Sequence, residues 1–185
     1  MLNKFLISFF TCIAFTLNLY ANEKQLIVKQ ITDINNITFD FIQETNNKKE
    51  IGTCVLVFDN KLKCNYKDSQ HKEIILNKKK LVVLHKRYDK IYFFPLSHFP
   101  FTKIFNKKNL INLITNSSYQ LNDNIELTYI GKNKEKIILL FKKNTFDLAG
   151  WKVIDKLQNV INFSIKIRHV NSEINPKIFK IPVVN

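Results

Sequence analysis

The sequence predicts a mainly β, α+β fold built on one large antiparallel sheet of about ten or eleven strands with two or three helices. Three stretches carry that prediction. Near the C-terminus Ile161, Phe163, Ile165 and Ile167 alternate with Asn162, Ser164, Lys166 and Arg168, the two-residue period of a strand with one apolar and one wet face. The same alternation runs through Ile37, Phe39 and Phe41 against Thr38 and Asp40, and through Ile125, Leu127 and Tyr129 against Glu126 and Thr128. A one-sided pattern repeated along the chain points to antiparallel pairing, and a sheet of that many strands must curl.

In chain order, residues 1–21 read as a secretory signal peptide: a single Lys4, an apolar run from Phe5 to Leu17, and small Ala21 at the cleavage position. The run is shorter than the ~20 residues a spanning helix needs, so the expectation is a cleaved leader and one exported domain over 22–185. Cys12 does not read as a lipid-attachment site, because Phe10 and Thr11 stand where a lipoprotein signal carries small residues. A helix is predicted from Glu23 to Asn35, with Leu26, Ile27, Ile31 and Ile34 on one face. Strands follow at Ile37 to Glu44, Ile51 to Phe58, Leu62 to Lys67, Lys72 to Leu76, Leu81 to Lys86 and Lys90 to Leu96, divided by "TNNKK", "DN", "DSQ", "NKKK" and "YD". Pro95 and Pro100 bar the next segment from a central strand. Leu110, Leu113 and Ile114, at helical spacing, predict a short helix from Lys107 to Thr115. Strands resume at Tyr119 to Ile130, Lys136 to Lys143, Trp151 to Leu157 and Val160 to Val170, and a short last one ends at Phe179 to Ile181. Neither a repeat nor a linker divides the chain.

The 185 residues are 45% hydrophobic and 24% charged, enough for one domain with a sizeable core. A net charge of +14 raises nucleic acid or an anionic membrane as partners. The basic residues are nearly all Lys, however, with Arg at 87 and 168 only, and Arg is what bidentate recognition of phosphates and bases favours. No nucleic acid is expected, and exposed lysines read as protection of sheet edges. His71, His85, His98 and His169 form no metal-ligand spacing, and neither CxxC, GxSxG nor a P-loop is present. With three glycines in all, a phosphate-cradling loop has no material. The expectation is no metal, no cofactor and no enzyme.

Cys54 and Cys64 flank one predicted hairpin, and in an exported protein a disulfide is expected. An odd-numbered loop centred on Asp59 sets them opposite each other. A two-residue loop at Asp59 and Asn60 instead sets Cys64 against Val55, which leaves two buried thiols out of line.

The order "ITFDFIQE", "GTCVLVF", "KLKCNY", "DLAGWKVIDKLQNVINFSI", "KIFKIP" resembles the LolA family of periplasmic lipoprotein carriers, over nearly all of 22–185. Its most specific parts are Phe41 with Gln43, the Asp147 to Gly150 turn feeding Trp151, and Phe179 with Pro182. The resemblance implies an unclosed, strongly curved antiparallel β-barrel whose helices act as a lid over an apolar cavity. It also implies a soluble, monomeric periplasmic protein that shields the acyl chains of lipoproteins, is loaded by an inner-membrane lipoprotein-releasing ABC transporter and is emptied into an outer-membrane receptor. With the inward positions of the strands, it assigns the cavity to Phe39, Phe41, Leu56, Phe58, Tyr66, Tyr92, Phe94, Leu127, Tyr129, Phe163 and Ile165, and the lid to Leu26, Ile27, Ile31, Leu110, Leu113 and Ile114. Trp151 reads as core rather than ligand contact, and Gly150 as the tight turn from which its strand starts. There is one departure: "VFDNKLKCNY" lacks the Arg-Pro pair of many relatives, so the arginine that helps control the family's lid has no counterpart. The alternative function is a periplasmic lipid or lipoprotein sensor on the same half-barrel fold.

Overall fold

The computed structural model describes residues 23–58, 60–96, 99–131, 134–154 and 157–182; the predicted leader lies outside them, as do Asp59 and His98. A first helix, α1, covers 23–33. The strands are β1 (Asn36–Thr45), β2 (Lys48–Val57), β3 (Lys61–Tyr66), β4 (Lys72–Asn77), β5 (Lys80–His85), β6 (Lys90–Phe94), β7 (Ser118–Leu121), β8 (Ile125–Ile130), β9 (Lys136–Phe141), β10 (Leu148–Ile154) and β11 (Val160–Val170), with helix α2 (Lys107–Thr115) between β6 and β7.

All eleven strands described form one sheet in the order β6-β5-β4-β3-β2-β1-β11-β10-β9-β8-β7. Two antiparallel meanders are thus joined where β1 pairs with β11. Local chemistry sets the turns. The β1–β2 hairpin closes through Asn46 and Asn47, both at positive φ (47° and 63°), the geometry of a two-residue turn that suits the twist of the strands. Asn106 caps α2, its side-chain oxygen accepting from the backbone N–H of Asn109 at 3.1 Å. β6 and β7 end the sheet without pairing with each other, so the curl stays open. The chain between them includes a 3-10 turn (Pro100–Phe105) and α2, and both pack on the sheet's inner face.

That inner face carries the core: Ile37, Phe39, Phe41, Leu56 and Leu127 are buried with Ile27 and Ile31 of α1 and Leu110, Leu113 and Ile114 of α2. The outer face is wet and charged along β1 and β11, where Arg168 Nε donates to Asp40 Oδ2 at 2.6 Å. The guanidinium holds that exposed carboxyl below its ordinary pKa. On β4 and β5 the outer face is apolar too: Ile75, Val82 and Leu84 pack with Ile91 and Ile181. Burial on both sides explains why these two strands read as apolar runs rather than alternations.

The structure corrects three expectations and decides one register that the sequence left open. Tyr119 to Ile130 is a hairpin, β7 and β8, because the "NDN" at 122–124 turns the chain. The last strand does not form: Pro176 and the Asn175 side chain, which accepts from Lys177 N–H at 3.0 Å, start a 3-10 turn (Pro176–Phe179) instead. These two differences cancel in the strand count. Gly150 lies within β10, at a bulge in its pairing with β9, and not in a turn ahead of it. Between Val57 and Lys61, which pair, the β2–β3 loop holds three residues, so Cys54 faces Cys64 and the two sulfurs are bonded.

Candidate functional site

The inner face is not filled everywhere. A cavity of about 410 Å³ lies between the β2–β6 side of the sheet and the segment from Phe99 to Phe105. Its walls are Phe39 and Gln43 of β1; Cys54, Leu62, Cys64 and Tyr66 of β2 and β3; Lys72, Ile74, Leu81, Val83 and Phe94 of β4 to β6; Trp151, Val153, Ile161 and Phe163 of β10 and β11; and Phe99, Phe101 and Phe105. Alternate residues of each strand point here because the sheet period is two.

Aromatic rings bound it without a break. Phe163 is stacked between Phe41 (centroids 4.8 Å apart) and Trp151 (4.5 Å). From Trp151 edge-to-face contacts continue to Phe105 (5.9 Å), Phe101 (6.0 Å), Phe99 (5.5 Å) and Phe94 (5.7 Å). The ring series therefore runs from the middle of the sheet, across the Phe99–Phe105 segment, to the edge strand β6. Contacts that hold that segment down include Asn60 N–H donating to the Phe105 carbonyl at 3.1 Å and Lys103 Nζ meeting Glu135 Oε1 at 3.2 Å.

One end of the cavity is polar. The Tyr66 hydroxyl donates to Gln43 Oε1 at 2.7 Å. Lys72 Nζ lies 3.8 Å from the centre of the Tyr66 ring and 2.5 Å from Glu50 Oε1, which also takes Lys48 Nζ at 3.0 Å. Burial pushes the Tyr66 phenol pKa up, and the charges of Glu50 and Asp68 add to it. At Glu50 burial works against the carboxylate, but hydrogen bonds from Lys72 and Lys48 more than offset it and hold its pKa below the ordinary value. A depressed carboxyl contributes stability that is present above its unfolded pKa and lost as the pH falls through the folded one. The melting temperature is therefore expected to drop as the pH is lowered from about 6 to about 3, and Glu50→Gln to flatten part of that drop. Equal slopes in parent and variant, from thermal melts across that range, would remove Glu50 from the account.

A family model described as outer membrane lipoprotein carrier protein LolA matches residues 32–182, a span that includes every residue of the cavity wall. The chain belongs to the LolA family. Among solved structures, a LolA superfamily protein from Nitrosomonas europaea is similar at 11% identity over 84% of this chain and 96% of its own, with a TM-score of 0.45. Lipoprotein LppX of Mycobacterium tuberculosis is similar at 11% identity over 85% and 97%, with a TM-score of 0.45. A chain of the Pseudomonas aeruginosa MucA/MucB complex follows at 9% identity over 88% and 60%, with a TM-score of 0.47. No curated protein matches the chain in sequence.

In this LolA-family chain, Phe39, Tyr66, Phe94 and Phe163 of the predicted cavity set line the cavity. Phe41 stands one ring behind it, folded over Gly52, where an added Cβ would come within 2.7 Å of the ring. Leu56, Phe58 and Leu127 are buried in the solid core, Tyr129 and Ile165 half-buried against it, and Tyr92 is exposed on the edge strand β6. Ile27, Ile31, Leu110, Leu113 and Ile114 are core residues under the helices and do not touch the cavity, while Leu26 is 39% exposed.

The physical reason is where the helices sit. Lys24 Nζ reaches the Ser117 carbonyl (2.6 Å), Gln30 Nε2 reaches Asp147 (2.8 Å), and Lys107 Nζ ties the start of α2 to the Thr32 carbonyl (2.8 Å). Both helices thus roof the β7–β10 half of the sheet, and the cover over the other half is Phe99–Phe105. Trp151, expected as core, is both: only 4% exposed, it also lines the cavity. Val153 and Ile161 were within reach of the alternation argument, being two positions from Trp151 and Phe163 on the same faces. Among the described residues no three His, Cys, Asp or Glu side chains group to hold a metal ion, and no helix is long and apolar enough to cross a membrane.

Proposed function

We propose that this LolA-family protein is a periplasmic carrier, not an enzyme, which shields the acyl chains of lipoproteins and moves them from the inner to the outer membrane. In this reading residues 1–21 direct export and are removed, an inner-membrane lipoprotein-releasing ABC transporter loads the protein, and an outer-membrane receptor empties it. The observation that supports it is the cavity: a volume of about 410 Å³ walled almost wholly by apolar side chains, inside the open curl of a sheet. Each buried methylene is worth ~0.8 kcal/mol, so one long acyl chain resists entering water by roughly 10 kcal/mol. A carrier must match most of that with apolar walls and still let go. Walls of Leu, Ile, Val and Phe supply the first requirement. A cover packed on the sheet and tied at Phe105 and Lys103, rather than paired into it as a strand, supplies a way to open.

The cover is also where the reading is tested. Phe99 and Phe101 are half-buried, so Phe99→Ser with Phe101→Ser is expected to lower the melting temperature by only about 5 °C and leave the fold intact, while weakening uptake of a diacylated lipopeptide roughly tenfold. Displacement of N-phenyl-1-naphthylamine by that lipopeptide reports the affinity. Failure of the parent protein to take up the lipopeptide would end the proposal.

A further inference from the structure

We infer that the cavity discriminates between amphiphiles, taking acyl chains that end in a neutral ester or amide carbonyl in preference to free fatty acids, with Gln43 and Lys72 as the specificity-determining residues. This rests on the cavity being an acyl-chain site. Strand register puts the polar groups together at one end: Gln43 stands opposite Glu50 in the β1–β2 pair, and Lys72 opposite His85 in the β4–β5 pair. The other end is walled by Leu62, Leu81 and Phe94. A chain entering with its methyl terminus toward the phenylalanines leaves its head at Gln43 and Lys72.

The charge at that end is what selects. The Lys72 and Glu50 side chains are only 15% and 13% exposed and their charges meet at 2.5 Å, so inside the cavity they cancel. Lys48 also reaches Glu50, but at 71% exposure its charge is screened by water. An ionised carboxylate arriving here gives up its hydration and finds no unspent cation. A carbonyl oxygen pays far less to leave water and needs only a donor. Donors are present: the Lys72 ammonium has three N–H groups and one carboxylate partner, and Gln43, whose Oε1 accepts from Tyr66, is left with its amide Nε2 in a long contact of 3.4 Å to Thr45 Oγ1.

The test compares 1-monopalmitoylglycerol with palmitate, each displacing N-phenyl-1-naphthylamine, at about pH 8 where palmitate is ionised. The parent is expected to bind the ester roughly tenfold more tightly. Glu50→Gln leaves Lys72 uncompensated, so palmitate affinity is expected to rise and the preference to narrow or reverse. Gln43→Leu combined with Tyr66→Phe removes a donor together with its own partner, which spares the fold, and is expected to weaken the ester without strengthening palmitate. Palmitate binding the parent as well as the ester does, or an unchanged ratio in Glu50→Gln, would overturn the inference and leave the acyl site standing. If neither amphiphile nor the naphthylamine binds, the acyl-site reading falls and the inference falls with it.

Discussion

Phe163→Glu is expected to abolish cooperative folding, whereas Ile161→Glu, one inward position earlier on β11, is expected to leave the fold intact and prevent acyl chains from binding. The ring of Phe163 is 8% exposed and sandwiched, with Trp151 nearly parallel on one side (8° between planes) and Phe41 on the other (20°). Removing a buried Phe costs about 3–5 kcal/mol. A carboxylate in its place adds the cost of burying a charge among rings, which it meets by staying protonated well above its ordinary pKa or by breaking the stack. Against a total stability of roughly 5–15 kcal/mol, that is enough to unfold the protein. Ile161 differs in burial, not in face: it is half-buried on the cavity wall and pairs with Val153 and Thr45. Its carboxylate variant can stay hydrated, so a loss of only about 1 kcal/mol is expected, while acyl-probe uptake collapses because charge stands on the wall. Circular-dichroism melts and probe titrations on both variants decide it. A Phe163→Glu protein that melts like the parent would show that the ring stack does not hold the sheet, and an Ile161→Glu protein that binds like the parent would take Ile161 off the wall.

Alternation along the strands told inside from outside: Phe39, Phe41, Leu56, Leu127 and Phe163, all placed inward by period alone, are buried. It could not tell which inward residues meet a cavity. That depends on the path of the chain from β6 to β7, a long-range matter with no local signature: the helices settle over Leu127 and leave Ile74, Leu81 and Val83 uncovered by helix. The prolines at 95 and 100 correctly kept that path out of the sheet. The Phe99, Phe101 and Phe105 between and beyond them were a further signal, since three phenylalanines in a segment that cannot pair as a strand need something to pack on. The runs "IIL" in β4 and "LVVL" in β5 were a signal of burial on both faces, and the predicted last strand is what covers their outer side in another form. The Pro176–Phe179 turn and Ile181 reach those strands as a packed tail, with the Phe179 carbonyl accepting from Asn77 Nδ2 at 3.1 Å, rather than as a twelfth strand. For the cysteines, the residues left two registers open, and the deciding fact was a loop of three residues.

Gly150→Ala is expected to destabilise the protein by on the order of 3 kcal/mol or more, although it adds only one methyl group, at a buried position of β10. Gly150 has φ of +154°, a conformation that side chains on L-residues rarely adopt, and it pairs with Ser164 of β11 next to a bulge against β9. A Cβ there would fall 2.1 Å from the carbonyl oxygen of Phe163 and 3.1 Å from Ser164 Cα. These are backbone atoms of the neighbouring strand, so no side chain can swing aside, and β10 must part from β11. The next pair along is Trp151 with Phe163, so parting the strands here also pulls the ring stack away from the cavity. Gly131→Ala offers the contrast: its Cβ would meet the carboxylate end of Glu135, which can move, and it is expected to cost less. For Gly150→Ala the melting temperature should fall by on the order of 10 °C. Because Trp151 is the only tryptophan, its emission should shift to the red even below the transition as the indole gains water. A normal melting temperature with unshifted emission would mean that β10 and β11 absorb the methyl group, and that the close approach at Gly150 does not fix the wall of the cavity.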